Sequence, residues 1–213
     1  WDSPWGPGRP GWHTECVVMI NKLFGDKIDI HGGGVDLKFP HHENEIAQSE
    51  AACGTNLANY WMHNGHVMVN GVKMSKSLGN FYTAHDLLEK YPANVIRLSI
   101  LKTNYKMPFD FTDALFKECG TINDKVQNAL KQANLEVQLK NLEVGKVTND
   151  DKINEIMDDD FNTANLVIYL LDLVKELNTK LRAKEDFVDI YDRIMLANYV
   201  LGLEYDFVTL SDE

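Results

Sequence analysis

A cluster of titratable side chains sits in the string from His31 to Glu45: His31, His41, His42, Glu43 and Glu45, with three glycines after His31 and Pro40 just ahead of the histidine pair. His41 and Glu45 are four apart, so on a helix they share a face. An imidazole and a carboxylate at that spacing are a usual zinc pair. His42 with Glu45, three apart, is the competing pair. Upstream, Trp12-His13-Thr14-Glu15-Cys16 offers a thiolate. Cys16, His41 and Glu45 would together make a site of sulfur, nitrogen and oxygen. On spacing alone, the simpler reading is a solvated helix start whose carboxylates oppose the helix dipole.

These groups need elements to hold them. A β-prone run, Lys27–Ile30, leads into Gly32, Gly33 and Gly34, which are expected to form a turn where a ligand can lie on bare backbone. Pro40 suits the first helical position. Strand, Gly-rich turn and helix N-terminus is the layout by which α/β proteins hold ligands at the carboxyl ends of strands. The pattern predicts a helix from Thr14 to about Phe24. Cys16 lies in its first turn, where a thiol pKa falls; a small buried residue is the alternative. A second helix is predicted over 41–53, stopped by Gly54, and a strand within Tyr60–Val69. Two strands around one helix predict a βαβ unit and a mostly parallel sheet, with further strands needed to complete it.

The second chemical stretch is Asn70-Gly71-Val72-Lys73-Met74-Ser75-Lys76-Ser77-Leu78-Gly79-Asn80. Gly71 and Gly79 bracket it like hinges. Lys73 and Lys76 supply two ammonium groups, and Ser75 and Ser77 two hydroxyls. Two cations on a mobile loop suit a polyphosphate whose charge grows as a bond breaks.

The remainder reads as helical. Thr83 and Asp86 form a start signal, Pro92 separates two helices, and 105–111 is a break containing Pro108. From Thr112 a long helix carries Leu115, Phe116, Ile122, Val126, Leu130, Ala133 and Val137 on one stripe. After a polar linker, 141–149, helices are predicted at about 150–157, 162–182 and 186–201. Leu166, Leu170, Leu173 and Leu177 form an apolar face that belongs to a bundle core. Asp158-Asp159-Asp160 reads as a solvated turn capping the next helix, and Glu204–Glu213 as a frayed acidic tail.

The chain has 213 residues and a net charge of −11, which argues against indiscriminate polyanion binding. The charge is uneven: residues 70–110 carry six Lys or Arg against three Asp or Glu, so one basic segment can still steer a phosphate ligand. Three scattered cysteines make no disulfide framework and suit a reducing compartment. There is no apolar run of membrane-spanning length and no cationic leader, so no membrane partner is expected. The chain opens on Trp1 rather than Met and reads as a fragment.

Lys73–Ser77 resembles the Lys-Met-Ser-Lys-Ser signature of class I aminoacyl-tRNA synthetases. Trp1–Gly6, Gly8–His13, Asp29–Gly34, Phe39–Glu45 and Asp160–Thr163 are similar to cysteinyl-tRNA synthetases, in order along nearly the whole chain. The resemblance implies an α/β then all-α fold. Residues 1–98 would be the second half of a Rossmann-like catalytic domain, 99–111 a stem-contact connection, and 112–213 a helical bundle on the tRNA side. It implies ATP-dependent activation of L-cysteine to an adenylate and transfer to tRNA(Cys), with zinc as cofactor and ATP with magnesium as co-substrate, in the cytoplasm.

The same resemblance implies zinc ligands at Cys16, His41 and Glu45, in place of the solvated helix start and choosing His41 over His42. The family's other ligating Cys and its His-x-Gly-His signature lie outside this sequence, so activity of the chain alone is not expected. Lys76 and Lys73, with Ser75 and Ser77, would hold the pyrophosphate. His31 and Gly33 would approach the adenylate. Trp12 would wall the amino-acid pocket or pack in a core. Asp36 would take the substrate ammonium, a ribose hydroxyl or a turn cap. The alternatives are the cysteine ligase of mycothiol synthesis, which shares the zinc site and lysine loop, and a non-catalytic zinc- or RNA-binding module.

Overall fold

The structure is a computed structural model that describes residues 1–207. It forms two compact units, Trp1–His66 with Tyr105–Pro108, and Val67–Asn104 with the chain from Phe109 onward. This break in packing comes earlier than the motif-based division at 98. The helix at 93–101 packs on the long helix that follows.

The first unit is a βαβ arrangement. Helix α1 (His13–Phe24) precedes strand β1 (Ile28–Gly34), helix α2 (Glu43–Cys53) and strand β2 (Ala58–Asn64). β1 and β2 pair in parallel, with His31 opposite Trp61 and Gly33 opposite His63. The three glycines are therefore the end of the strand, not a turn beyond it. Gly54 stops α2 in the left-handed conformation, as expected. Pro40 does follow an extended residue: Phe39 has φ −139° and ψ 133°, the conformation a proline favours before it, and the chain is helical again by His42. The apolar core is small, Val17, Ile20 and Leu57 with Ile28 and Trp61 against them, while Ile30 and Tyr60 on the sheet are exposed. Residues 105–108 lie on Gly65, whose N–H donates to the Tyr105 carbonyl at 2.8 Å. A Cβ at Gly65 would run into the Met107 carbonyl, so this approach needs glycine.

The second unit holds a small sheet and the bundle. Strands β3 (Val67–Val69) and β4 (Val72–Lys73) make a hairpin, and β5 (Phe109–Phe111) pairs with β3 in parallel. The predicted strand over 60–69 is thus two strands of different sheets, split at Gly65-His66. The break predicted around Pro108 contains a strand, because three residues are too few to show an alternation. Asn70 (φ 50°) and Gly71 (φ 79°) form the tight turn of the hairpin. The Gly71 N–H is held by the Asp110 carboxylate, so Gly71 is a fixed corner and not a hinge.

Helices α3 (Ala84–Leu88), α4 (Ala93–Leu101), α5 (Asp113–Leu139), α6 (Asp151–Asp158), α7 (Thr163–Ala183) and α8 (Val188–Leu201) follow close to their predicted spans. Thr83 and Asp86 form the expected capping box. The α5 stripe and the four leucines of α7 face one core. Asn162, held by Asp159, caps α7; the Asp run itself does not. The linker 141–149 is pinned where the buried Asp192 accepts from the N–H groups of Gly145 and Lys146 at 2.7 and 2.8 Å. Replacing Asp192 by Ala is expected to lower stability by about 2 kcal/mol, read as a shift of the urea midpoint. The start of the tail is also held rather than frayed, since Asn94 bonds both the N–H and the C=O of Glu204. The remainder of the predicted tail, 208–213, lies outside the described residues. No helix is long and apolar enough to cross a membrane among the described residues.

Candidate metal centre and lysine loop

Glu45 is the hub of the first unit. Its side chain is fully buried, one turn into α2. His31, near the middle of β1, donates from Nε2 to Glu45 Oε2 at 2.6 Å. His41 Nε2 lies 2.7 Å from Glu45 Oε1, the four-residue spacing acting as expected. Cys16, in the first turns of α1, brings its sulfur to the same place: Cys16, His41 and Glu45 have ligand atoms all within 4.8 Å of one another. A buried, unpaired carboxylate is costly, and this one is met by two imidazoles. Even so, the His41 contact to Glu45 Oε1 is short without being an aligned hydrogen bond. Burial pushes the Cys16 thiol up, and the Glu45 charge beside it adds to the rise. The thiol is therefore raised rather than lowered at this helix N-terminus, contrary to expectation, first because it is buried and second because the Glu45 carboxylate lies beside it.

A second set, His31, His42 and Glu45, is equally close and shares the carboxylate. His42 is otherwise engaged, with Nδ1 2.8 Å from His63 Nε2. Burial lowers the pKa of both His42 and His63. The ring of His41 is instead stacked on Trp12, centroids 3.5 Å apart and planes 12° from parallel. Trp12 is 55 % exposed, so it is no core residue; one indole face braces His41.

The glycines of β1 serve this packing. A Cβ at Gly33 would come within 2.8 Å of Leu37 and 3.1 Å of the His42 ring. A Cβ at Gly34 would meet Asp36 Oδ1 at 2.5 Å. At Gly33 the bare backbone lets the protein's own next turn close over the strand, and Asp36 folds back on Gly34.

The lysine loop, in the second unit, is ordered by its own bonds. The Ser75 N–H donates to Asn80 Oδ1 at 2.9 Å, and Asn80 Nδ2 donates to the Lys73 carbonyl at 3.3 Å. The Leu78 N–H donates to Ser75 Oγ, and the Ser75 and Ser77 hydroxyls bond each other at 3.2 Å. Lys76 Nζ lies 5.6 Å from the centre of the Phe81 ring. The expectation of a loop swinging between two glycine hinges is replaced by a bonded turn.

His63 and Trp61 were missed from the sequence. Their alternate spacing on a strand is a signal, but it carries meaning only once β2 is known to lie against β1 in register with His31 and Gly33.

Comparison with known proteins bears on these sites. Residues 1–121 match the family described as tRNA synthetases class I (C) catalytic domain, and residues 152–204 match the DALR domain. The chain is 47 % identical over 207 residues to the cysteine–tRNA ligase of Geobacter sulfurreducens, covering 93 % of this chain and 42 % of that protein. It is 47 % identical over 231 residues to the cysteine–tRNA ligase of Oceanobacillus iheyensis, covering 100 % and 48 %. It thus spans less than half the length of these relatives. Both carry the tRNA-ligase name, so the mycothiol alternative is not supported. Among solved structures, the LeuRS of an Agrobacterium radiobacter ternary complex with tRNA and LeuAMS aligns with a TM-score of 0.63 at 19 % identity, over 82 % of this chain and 25 % of that one; it speaks for the fold alone. From the catalytic-domain match and these identities, the chain belongs to the class I tRNA synthetases, in the cysteinyl branch.

Proposed function

We propose that this chain carries the zinc-holding and pyrophosphate-handling parts of a cysteine–tRNA ligase, with L-cysteine, ATP and tRNA(Cys) as its partners and the cytoplasm as its place. The observation that carries the reading is the convergence of a sulfur, a nitrogen and a buried carboxylate oxygen at Cys16, His41 and Glu45. That donor set fits zinc, and Glu45 Oε1, which meets His41 Nε2 at 2.7 Å without an aligned hydrogen bond, could turn to the cation. Zinc held there supplies an affinity for thiolate over hydroxyl, which is the chemistry needed to tell cysteine from serine. His31 fixes the far oxygen of Glu45, so the near one keeps its aim. Trp12 braces the His41 ring and lines the approach.

In the reaction, a carboxylate oxygen of cysteine attacks the α-phosphorus of ATP, brought in as its magnesium complex. A new P–O bond forms, the bond to the β-phosphate oxygen breaks, and negative charge gathers on the leaving pyrophosphate. Lys76 and Lys73 meet that charge, with the Ser75 and Ser77 hydroxyls beside them. His31 and Gly33 lie at the adenylate side, and Asp36 takes the substrate ammonium or a ribose hydroxyl. A hydroxyl of the tRNA 3′-terminal ribose then attacks the adenylate carbonyl, an ester bond forms, the acyl–phosphate bond breaks, and AMP leaves with the proton passing to solvent. Functionally, 1–98 supplies this chemistry, 99–111 is the stem contact, and 112–213 the tRNA-side bundle; the basic run 70–110 faces tRNA phosphate.

Metal content of the purified chain, with cysteine-dependent ATP–pyrophosphate exchange and tRNA charging by the intact protein, test the proposal. Absence of stoichiometric zinc from the intact protein would end the zinc reading. The pH dependence has a definite sign. The Cys16 thiol is pushed up and must lose its proton to bind metal, so zinc affinity is expected to rise with pH, about tenfold per unit while that thiol is protonated. Competition titrations at pH 6 and pH 8 check this.

A further inference from the structure

We infer that Asn80 is the positioning residue of the lysine loop, clasping its neck so that Lys76 is presented at a fixed place. The inference rests on the proposed phosphate-handling role of that loop and names the residue that makes it work.

Lys73 ends β4, where it is paired with Met68 of β3. From there the chain leaves the sheet. Ser75 is extended, with φ −151° and ψ 150°, and its hydroxyl caps a single helical turn, Lys76–Leu78. Gly79 then takes φ 67°, which reverses the chain and returns Asn80 to the point of departure. There the Asn80 amide behaves like a peptide group. Its oxygen accepts the Ser75 N–H and its nitrogen donates to the Lys73 carbonyl, two residues away on the outgoing arm. One planar group with both a donor and an acceptor closes the loop across its neck. Aspartate keeps the acceptor and loses the donor; alanine loses both. Lys76 stands one residue beyond the clasp, and its ammonium rests near the ring of Phe81, the residue after Asn80. The clasp therefore fixes the start of the turn that carries Lys76, and the following residue steadies the side chain. A cation held in place gives up little freedom when phosphate charge develops; a displaced one is worth far less.

The test uses Asn80→Ala and Asn80→Asp. The loop contains trypsin sites after Lys73 and Lys76, so limited trypsinolysis of the chain reads its order directly. Asn80→Ala is expected to speed cleavage at these two sites about tenfold with little change in thermal midpoint. Asn80→Asp is expected to fall between it and the native chain, and it carries the test should the alanine variant fail to fold. In the intact protein, Asn80→Ala is expected to lower kcat for ATP–pyrophosphate exchange about thirtyfold with the KM for cysteine unchanged, a split that a general loss of stability does not produce. Unchanged cleavage in both variants refutes the clasp, whatever the loop does. Faster cleavage with normal exchange, where Lys76→Ala still abolishes exchange, keeps the loop's role and refutes positioning by Asn80. Normal exchange in both Asn80→Ala and Lys76→Ala removes the phosphate-handling role and the inference with it.

Discussion

Lys76→Ala is expected to lower cysteine-dependent ATP–pyrophosphate exchange by the intact protein about a hundredfold to a thousandfold, while the dissociation constant for cysteine stays within about twofold. The split follows from where the charge develops. In the proposed reaction, cysteine enters with its charges already formed and would engage the first unit's site. The pyrophosphate oxygens gain charge only as the α–β bond breaks. An ammonium that meets that charge stabilises the transition state more than either ground state, so its loss falls on the rate. Lys76→Arg is expected to recover part of the loss, since it restores the charge with a broader, differently shaped head. Equal losses in cysteine binding and in rate would instead place Lys76 in substrate binding.

Glu45→Gln is expected to reduce zinc affinity about a thousandfold without destabilising the metal-free chain. Glu45 is a buried carboxyl group, and its Oε1 meets His41 Nε2 at 2.7 Å without an aligned hydrogen bond. Such a group is retained at a cost in folding stability, so a neutral amide of the same shape leaves the metal-free thermal midpoint unchanged or raised. The cost is justified by what the charge holds. An amide oxygen is a poorer ligand than a carboxylate, and the cation would rest on Cys16 and His41 with less charge to balance it. Zinc content after dialysis, set beside the thermal midpoint with and without metal, separates the two effects. If Glu45→Gln kept its metal and lost stability, the carboxylate would be a structural anchor for His31 and His41 and not a ligand.

Much of the fold was legible because its causes are local. Thr83 with Asp86, Thr112 at the start of the long helix, and Gly54 after its helix are caps that act within one turn. The α5 and α7 stripes depend only on the helical period, which is why most of their buried residues are legible in the sequence. The βαβ order followed from two strand-like runs around a helix. Short strands were not legible: β5 has three residues and β4 two, below the length at which alternation shows.

The site divides along the same line. Residue types and spacing put His41 and Glu45 on one face, and the family resemblance, more than the spacing, raised them above a solvated helix start. The sequence by itself determined the helices, their caps, the inventory of donor atoms and the family. Only the tertiary structure decided that Glu45 is buried between His31 and His41, that His42 turns to His63, that Gly33 makes room for the protein's own side chains, and that Asn80 ties the lysine loop. Each of these depends on the register in which distant segments meet, and no local pattern encodes a register between two strands whose side chains could equally face either way.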